Sequence, residues 1–486
     1  MDRILEVVRG TWGYPGLRPL QREAIEASLA GRDALVVLPT GGGKSVCYQA
    51  PALLAPGLTV VVSPLISLMK DQVDRLRRSG IPSAFMNSSL DPGERRIVES
   101  AVSRGEIRLL YVAPERFGDP AFRPLMAKAR VRAIAVDEAH CISHWGHDFR
   151  EAYGRLSLLR DAFPGVPVHA LTATATRRVR EDIAGLLSLR DPLVLVGDFF
   201  RPNLHLRLAA RRDQLADVLG VIARHPGKAG IVYVIRRADV DDLAQGLRDA
   251  GLSAVAYHAG LDEAVRAGAQ DQWMASRADV VVATVAFGMG IDRRDVRFVA
   301  HAAMPQSPEH YQQEVGRAGR DGNPAECVLF WSPGDADLWR SLIRAQGSAE
   351  GPAKEGLVDE MLRYCGSSAC RHRSLVEYFG QEWTGRACNA CDMCDADAPA
   401  MGLETRRRGP GPFDPRLYQL LRNVRREIAD TRGVPATAIA SDSALRDLAA
   451  ARPGSLAEVR RIPGMGRAGL AAWGGRFLMV FREFGE

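Results

Sequence analysis

The sequence predicts an α/β protein with two doubly wound parallel-sheet lobes, followed by a small helical cysteine-rich module and a C-terminal helical bundle. Two series of short apolar runs, separated by helix-length segments, predict the lobes. Four closely spaced cysteines predict the module, and helix-like stretches alternating with turns after residue 413 predict the bundle. The length of 486 residues suits three or four domains of ordinary size.

Apolar runs mark the expected strands of both lobes. Each run of the first lobe ends at a polar or turn-forming patch, and such ends share one ligand-binding edge in a parallel sheet. The first-lobe runs are Leu35–Leu38, Thr59–Val62, Leu109–Val112, Ile134–Val136 and His169–Leu171. The second-lobe runs are Ile231–Val234, Ala254–Tyr257, Val280–Ala283, Phe298–Ala300 and Cys327–Phe330.

A glycine-rich turn follows the first run and leads into a helix-like stretch. Phosphate is favoured there, because helix N-terminal amides and the helix dipole attract anions and glycines allow close approach. Lys44 would reach the terminal phosphates of ATP and the Ser45 hydroxyl would bind Mg²⁺. Leu38 replaces the usual first glycine, so the turn is a shortened form of the motif. Its expected nucleotide-contacting residues are Thr40, Gly41, Gly42, Gly43, Lys44 and Ser45.

A carboxylate pair follows the fourth run, in the stretch Asp137–His140. At the carboxyl edge of a sheet, Asp137 would hold the magnesium ion, through water, and Glu138 would orient and deprotonate the attacking water. The alternative for an isolated pair is a solvated acidic turn. The preceding lysine loop favours the catalytic interpretation.

Two arginines, Arg317 and Arg320, lie far down the chain in Gln312–Arg320. Their spacing of three predicts one face of a helix. An arginine supplied across a cleft stabilises charge on a transferred phosphoryl group and can raise the rate by roughly 10³ to 10⁵. The alternative is an ordinary salt-bridged helix face. With the two earlier motifs, these residues predict a two-lobed ATPase driven by nucleic acid.

Composition favours a cytoplasmic protein with no membrane partner. Hydrophobic residues make up 46% of the chain, but no apolar run reaches the 18 or more residues of a membrane span, and the N-terminus lacks the pattern of a signal peptide. The net charge is +6, and only five of the 64 basic residues are lysine. Arginine suits phosphate binding, although a genome-composition bias explains most of this excess.

The stretch Cys141–Arg150 places Trp145 and Phe149 among histidine and arginine. Exposed aromatics of this kind stack on single-stranded bases, at about 1–3 kcal/mol per base. The alternative is a packed helix face, because the two aromatics are four residues apart. Together with the three motifs, this stretch resembles the aromatic-rich loop of RecQ-family DNA helicases, within superfamily 2. The resemblance covers nearly the whole chain and implies two RecA-like lobes, ATP and Mg²⁺, and movement 3′ to 5′ on DNA.

The resemblance also assigns residues to adenine and to DNA. Tyr14, Arg18 and Gln21 match the adenine-recognition element of the family, although Leu17 and Leu20 replace its usual Phe and Gly. The implied DNA-contacting residues are Ser63, Trp145, His147, Phe149, Arg150, Thr174 and Thr284. The segment Tyr233–Arg237 departs from the family pattern, which puts one backbone contact in doubt.

Four of the eight cysteines have the spacing of a zinc site: Cys370, Cys388, Cys391 and Cys394. Thiolates converging from two short arms suit tetrahedral structural zinc, which leaves no position for catalysis. Disulfides are disfavoured in a reducing cytosol. Cys365 is the rival first ligand, but the stretch from Cys370 resembles the zinc-module helix of the family.

The predicted domains are lobe 1 at 1–200, lobe 2 at 201–342, the zinc module at 343–398, a linker at 399–412 and an HRDC-like bundle at 413–486. The glycine-rich turn Ile462–Leu470 resembles the HRDC signature and would either bind DNA phosphate or simply join two helices. Most relatives carry a winged-helix domain between the zinc module and HRDC. The 18 residues Asp395–Pro412 are too few to form one.

Two main functional hypotheses remain open from the sequence. The first is an ATP-dependent 3′–5′ DNA helicase of recombination and repair, acting on single-stranded and on tailed or forked DNA. The second is a DNA-stimulated translocase with little duplex unwinding. A non-catalytic scaffold and an RNA helicase are further alternatives, disfavoured by the complete motifs and by the aromatic loop. Single-strand-binding and repair proteins are the expected protein partners.

Overall fold

The computed structural model describes residues 2–288, 293–385, 387–394, 414–432, 439–440, 442–460 and 470–484. The chain divides into two compact units. The larger unit contains Met1–Leu208 and Val218–Ala396, and the smaller contains Ala209–Asp217 and Asp397–Glu486. No helix within the described ranges is long and apolar enough to cross a bilayer.

The first sheet lies in lobe 1 and is parallel throughout its recorded pairings. Its described strands are β1 Ala34–Val37, β2 Leu58–Val62, β3 Ser83–Met86, β4 Leu109–Val112, β5 Val131–Val136, β6 Val168–Thr172 and β7 Leu193–Val196. They lie in the order β3-β4-β2-β5-β6-β1-β7. Because β5, β6 and β1 are neighbours, the loops after these three strands meet at one edge.

The second sheet lies in lobe 2. Its described strands are β8 Leu204–Ala210, β9 Gly230–Tyr233, β10 Ala254–Tyr257, β11 Val280–Ala283, β12 Phe298–His301 and β13 Ala325–Trp331. Their order is β10-β11-β9-β12-β13-β8. The pairs β10–β11, β11–β9, β9–β12 and β12–β13 are all parallel. The prediction of two doubly wound α/β lobes is confirmed.

All ten predicted strands are present, but the sequence analysis missed β3, β7 and β8. Strands β3 and β7 are four residues long and contain the short apolar runs Ala84–Met86 and Leu193–Val196, which the sequence analysis did not assign. Strand β8 alternates buried Leu204 and Leu206 with the partly exposed His205 and Arg207, the pattern of a strand buried on one side. A search for apolar runs detects strands buried on both faces and passes over such strands at sheet edges.

Helices cover both sheets. In the chain before residue 395 they are α1 Arg3–Trp12, α2 Gln21–Leu29, α3 Lys44–Leu54, α4 Ile66–Arg78, α5 Pro92–Ser103, α6 Phe122–Lys128, α7 Leu159–Ala162, α8 Arg177–Leu186, α9 Gln214–Ile222, α10 Arg237–Asp249, α11 Glu263–Met274, α12 Pro308–Val315, α13 Pro333–Gln346, α14 Gly351–Gly366 and α15 Arg371–Tyr378. Short 3-10 helices span Pro114–Gly118, Ala139–Ile142 and Glu151–Leu158.

The C-terminal part of the smaller unit is helical, as predicted. Its described helices are α16 Pro415–Arg432, α17 Asp442–Ala451, α18 Leu456–Arg460 and α19 Leu470–Phe484. Leu417, Leu421, Leu445, Trp473 and Phe477 pack in its core. The predicted linker at 399–412 and residues 462–469 of the HRDC-like turn lie outside the described residues.

Candidate nucleotide cleft and nucleic-acid interface

A cavity of about 550 Å³ lies between the two lobes. It is bounded by the segment before α2, the loops after β1 and β5, and the turn after α12. The sequence-predicted residues that line it are Tyr14, Arg18, Gln21, Thr40, Gly41, Gly43, Lys44, Ser45, Asp137, Glu138, Arg317 and Arg320. Residues far apart in the chain are therefore brought together, and Gly42 lies within the same loop.

The glycine-rich loop adopts a conformation that requires its glycines. Gly41 and Gly43 have φ of 83° and 78°, in the left-handed region that other residues rarely adopt. A Cβ on Gly42 would lie 2.8 Å from the carbonyl oxygen of Pro39. Helix α3 begins at Lys44, directly after Gly43. The loop thus presents a helix N-terminus to the cavity, as an anion site needs.

The element before α2 is tied to this loop by Gln21, whose side chain is only 4% exposed. Its Nε2 donates to the Gly43 carbonyl at 2.9 Å, and its Oε1 accepts from the Arg18 amide at 2.7 Å. Leu20, where the family has glycine, has φ of 66°. This left-handed conformation costs a non-glycine residue about 1 kcal/mol. The substitution keeps the turn at the expense of local strain.

The acidic pair follows β5 at the floor of the cavity. Glu138 is itself left-handed, with φ of 47°, and its Oε2 is buried without a hydrogen-bond partner. Nδ1 of the His140 ring lies 3.4 Å from this oxygen. Burial and then the Glu138 carboxylate raise the pKa of Asp137, whereas Lys44 lowers it. A buried carboxylate pair with unsatisfied acceptor capacity fits a divalent cation and a bound water.

The prediction that Arg317 and Arg320 share a helix face is wrong. Helix α12 ends at Val315, and both arginines lie in the following turn, where Gly319 has φ of 55°. Both side chains still reach the cavity. Arg317 is buried and its Nη1 donates to the carbonyl of Gly288. A Cβ on Gly41 would lie 3.4 Å from Cγ of Arg320, which places this lobe 2 side chain beside the phosphate loop.

The aromatic loop, residues 143–150, is a series of turns, so the helix-face alternative for its aromatics is excluded. Trp145 is 42% exposed, and the guanidinium carbon of Arg178 lies 3.2 Å from the centre of its ring. Phe149 stacks on His144 with ring centres 3.9 Å apart. Two aromatic surfaces therefore border solvent just after the acidic pair. Arg178 was not predicted, because nothing in its local sequence distinguishes it.

Arg150 holds the end of this loop. Its Nε and Nη2 donate to Oδ2 of Asp148 at 3.2 and 3.0 Å, and its Nη1 donates to the Pro64 carbonyl at 3.2 Å. Thr284, the predicted DNA contact of lobe 2, is partly exposed, and its Oγ1 accepts from the Ala286 amide at 3.4 Å.

Three predicted DNA contacts have buried side chains, and their contact with DNA stays a prediction. Ser63, His147 and Thr174 are 1%, 6% and 1% exposed. Nε2 of Gln313, from lobe 2, donates to Nε2 of His147 at 2.9 Å and to Oγ1 of Thr174 at 3.1 Å. His147 and Thr174 therefore join the lobes. Gln313 was missed as a functional residue although it lies within the third motif.

The zinc-module cysteines converge as predicted. The Sγ atoms of Cys370, Cys388, Cys391 and Cys394 all lie within 4.8 Å of one another. Zinc–sulfur bonds of about 2.3 Å in a tetrahedron place sulfurs about 3.8 Å apart, and Cys370 and Cys391 have Sγ atoms 4.0 Å apart. The rival Cys365 is buried elsewhere in α14 and does not belong to this cluster. The four thiols fit a zinc ion.

The end of α15 contacts both lobes. The Tyr378 hydroxyl donates to Oε1 of Glu309, on α12, at 2.6 Å. Phe379 stacks on Phe199 of lobe 1, with ring centres 4.3 Å apart. Gln381 Nε2 donates to the Gly197 carbonyl at 3.1 Å. The helix that precedes the two cleft arginines is thus fastened to the zinc module, a connection the sequence did not indicate.

Two parallel-sheet lobes that meet over a glycine-rich loop, an acidic pair and two arginines have the arrangement of the two-lobed helicase class. Family models agree: a DEAD/DEAH box helicase matches residues 18–183 and a helicase conserved C-terminal domain matches 210–322. A RecQ zinc-binding model matches 333–395, and an HRDC domain matches 414–480. The chain belongs to the RecQ family of superfamily 2 helicases.

Curated relatives give the same result. The chain is 44% identical over 391 residues to the ATP-dependent DNA helicase RecQ of Haemophilus influenzae, which covers 80% of this chain and 63% of that protein. It is 39% identical over 420 residues to the putative ATP-dependent DNA helicase Q1 of Caenorhabditis briggsae, covering 83% and 67%. The chain therefore spans less than two thirds of the bacterial relative.

Solved structures share the fold. The DUF1998 helicase MrfA bound to DNA superposes with a TM-score of 0.59 at 19% identity, covering 71% of this chain and 53% of that one. The DEAD-box helicase Mss116 bound to single-stranded RNA gives 0.59 at 15% identity, covering 77% and 89%. These likenesses agree with two RecA-like lobes.

Proposed function

We propose that the chain is an ATP-dependent DNA helicase that couples Mg-ATP hydrolysis to 3′–5′ movement on single-stranded DNA and to duplex unwinding. The observation that carries the proposal is the meeting, at one cavity, of the phosphate loop, the acidic pair and two arginines of the other lobe. The aromatic loop begins within a few residues of Glu138. A nucleotide site and a base-stacking surface therefore share one connected segment.

Each cleft residue has a chemical role in this proposal. The loop amides and Lys44 hold the phosphates, and the Ser45 hydroxyl and Asp137 hold Mg²⁺. The ion, when bound, neutralises phosphate charge. Glu138 orients the attacking water and takes its proton, since its Oε2 is buried with no other hydrogen bond. Arg317 and Arg320 stabilise the charge of the transferred phosphoryl group.

Adenine contacts and lobe coupling complete the nucleotide cycle. Tyr14, Arg18 and Gln21 lie beside the phosphate loop and would recognise the base. Gln313 bridges the lobes through His147 and Thr174. A change in lobe spacing during hydrolysis would therefore pull directly on the aromatic loop.

The proposed DNA contacts are side chains that are exposed or partly exposed to solvent. Trp145 and Phe149 would stack on bases, Arg150 and Thr284 would contact the backbone, and phosphate contacts would fix register without reading sequence. Trp145→Ala should weaken DNA stimulation of ATP turnover while the DNA-free rate persists. Loss of both rates together would instead indicate a folding defect.

The remaining assignments extend the same proposal. Structural zinc would occupy the four-cysteine cluster, and the expected setting is recombination and repair in the cytoplasm, beside single-strand-binding and repair proteins. A DNA-stimulated translocase is the second candidate. Only 18 residues separate the zinc-module match from the HRDC match, too few for an independent duplex-separating domain.

One experiment separates these candidates. Strand displacement is measured on duplexes with a 3′ tail, a 5′ tail or no tail, with ATP turnover followed in parallel and Lys44→Ala as the inactive control. A helicase displaces the strand only from the 3′-tailed duplex. DNA-stimulated turnover without displacement would support the translocase, and turnover equal in wild type and Lys44→Ala would overturn both. A matched 3′-tailed RNA duplex tests the RNA alternative.

A further inference from the structure

A compact group of metal-ligating side chains lies where the acidic motif passes into the aromatic loop. Sγ of Cys141 is 3.8 Å from Nε2 of His140 and 3.8 Å from Oδ2 of Asp148. All three ligand atoms lie within 4.8 Å of one another. We propose that this trio is a second metal site, which binds a soft divalent cation such as Zn²⁺ or Cd²⁺ and thereby inhibits DNA-stimulated ATP turnover.

The separations suit such an ion. Tetrahedral zinc has bonds of about 2.3 Å to sulfur and about 2.0–2.2 Å to nitrogen and oxygen, so its ligand atoms are roughly 3.5 Å apart. The two 3.8 Å distances need shifts of only a few tenths of an ångström, and the third pair of ligand atoms lies within 4.8 Å. A thiolate, an imidazole and a carboxylate form a ligand set that zinc accepts, and three protein ligands leave a fourth position for water.

The hydrogen bonds of His140 leave the correct nitrogen available. The Thr172 hydroxyl donates to the Thr174 carbonyl at 3.0 Å, so its oxygen must accept from Nδ1 of His140, 2.8 Å away. Nδ1 therefore carries the proton, and Nε2 directs a lone pair towards Cys141. A hydrogen bond that fixes the ligand tautomer is usual at metal-binding histidines.

Binding requires an exchange of partners at the other two ligands. The Cys141 thiol gives its proton to solvent as the sulfur–metal bond forms. Asp148 gives up Arg150, whose Nε and Nη2 now donate to the same Oδ2. Cys141 is fully buried, whereas the Asp148 side chain is 31% exposed. The ion would therefore enter past Asp148, and inhibition should develop slowly because the loop must open.

The inhibitory effect follows from what the ion would join, and this part rests on the proposed function. His140 and Cys141 adjoin the acidic pair, whereas Asp148 belongs to the aromatic loop. A metal bridge would fix the loop to the acidic motif and free Arg150 from Asp148. The loop could then no longer respond to bound bases.

The test uses the full chain with its zinc module loaded. Cys141→Ser keeps a hydroxyl but removes the soft ligand. Cys327→Ser is the matched control, because Cys327 is also fully buried and lies in β13. Each protein is incubated with excess Cd²⁺ and dialysed against metal-free buffer, and its metal content and DNA-stimulated ATP turnover are compared with its own untreated sample.

Wild type and Cys327→Ser should each bind one more metal equivalent than Cys141→Ser and lose turnover progressively. Cys141→Ser should keep its turnover. Equal metal content in all three proteins, or equal inhibition of Cys141→Ser, would overturn the proposal. If Cys141→Ser does not fold, Cys141→Ala takes its place with the same expected outcome. The metal count tests the site even if the chain proves not to be a helicase.

Discussion

Stability at acid pH should depend on one histidine far from the cleft. His169 is 2% exposed at the amino end of β6, and its Nε2 has no hydrogen-bond partner. Burial lowers its pKa to about 4, although Asp33 and a hydrogen bond to the backbone of Arg32 oppose this effect. In the unfolded chain its pKa is about 6.5. The folded state therefore resists protonation that the unfolded state accepts.

The difference between the two pKa values makes the free energy of unfolding depend on pH. The contribution of His169 to the free energy of unfolding is fully present above pH 6.5. It is lost as the pH falls from 6.5 towards 4, because in this range the unfolded chain binds a proton on His169 that the folded chain does not bind. At pH 5.0 the loss is about 2 kcal/mol, or about 30-fold in the opening constant. At pH 7.5 it is close to zero. His169→Asn, which cannot be protonated but keeps an amide donor, should remove this pH dependence.

Hydrogen exchange of peptides covering Val168–Thr172 measures the opening free energy locally. Wild type and His169→Asn are compared at each pH, so intrinsic exchange rates cancel. The wild-type value should fall by about 2 kcal/mol more between pH 7.5 and 5.0. His205→Asn, at a partly exposed position of β8, is the control and should follow wild type. An identical pH dependence in wild type and His169→Asn would refute the reasoning.

Three further predictions concern the cleft and the zinc module. Glu138→Gln should bind ATP normally but lose turnover by roughly 10² to 10⁴, because the amide cannot take a proton; nucleotide binding and hydrolysis are assayed separately, and near-normal hydrolysis would exclude the role. Cys370→Ser should lose zinc in metal analysis, whereas Cys365→Ser should keep it, and the opposite result would exchange the ligands. Tyr378→Phe removes the hydroxyl that donates to Oε1 of the buried Glu309 and should cost about 1–3 kcal/mol of stability. Thermal unfolding measures this cost, and an unchanged melting temperature at full zinc content would show that the bond contributes nothing.

Much of the fold was readable from local pattern. Continuous apolar runs mark strands that are buried on both faces, and all ten expected strands are present. Strand β8 was not predicted, because its residues alternate between buried and partly exposed positions. The arginine pair was misassigned to a helix, since a spacing of three does not reveal that α12 ends at Val315 and that Gly319 adopts a left-handed φ of 55°.

The sequence also could not show which of the candidate ligand and contact residues lie close together. It favoured Cys370 over Cys365 by resemblance, and the folded chain places the Cys370 sulfur beside those of Cys388, Cys391 and Cys394. It also suggested His147 and Thr174 as DNA contacts. Their burial against Gln313 depends on the approach of two lobes, which no local pattern encodes.

The sequence by itself predicted the chemistry, because a phosphate loop, an acidic pair, arginines and paired cysteines each need particular residue types at short spacings. Tertiary structure alone decided which of these groups meet. Strand order brings the loops after β1 and β5 to one edge, and the second lobe adds its arginines there. Contacts between residues hundreds of positions apart depend on packing across the whole chain, so their partners and burial could not be inferred from sequence spacing.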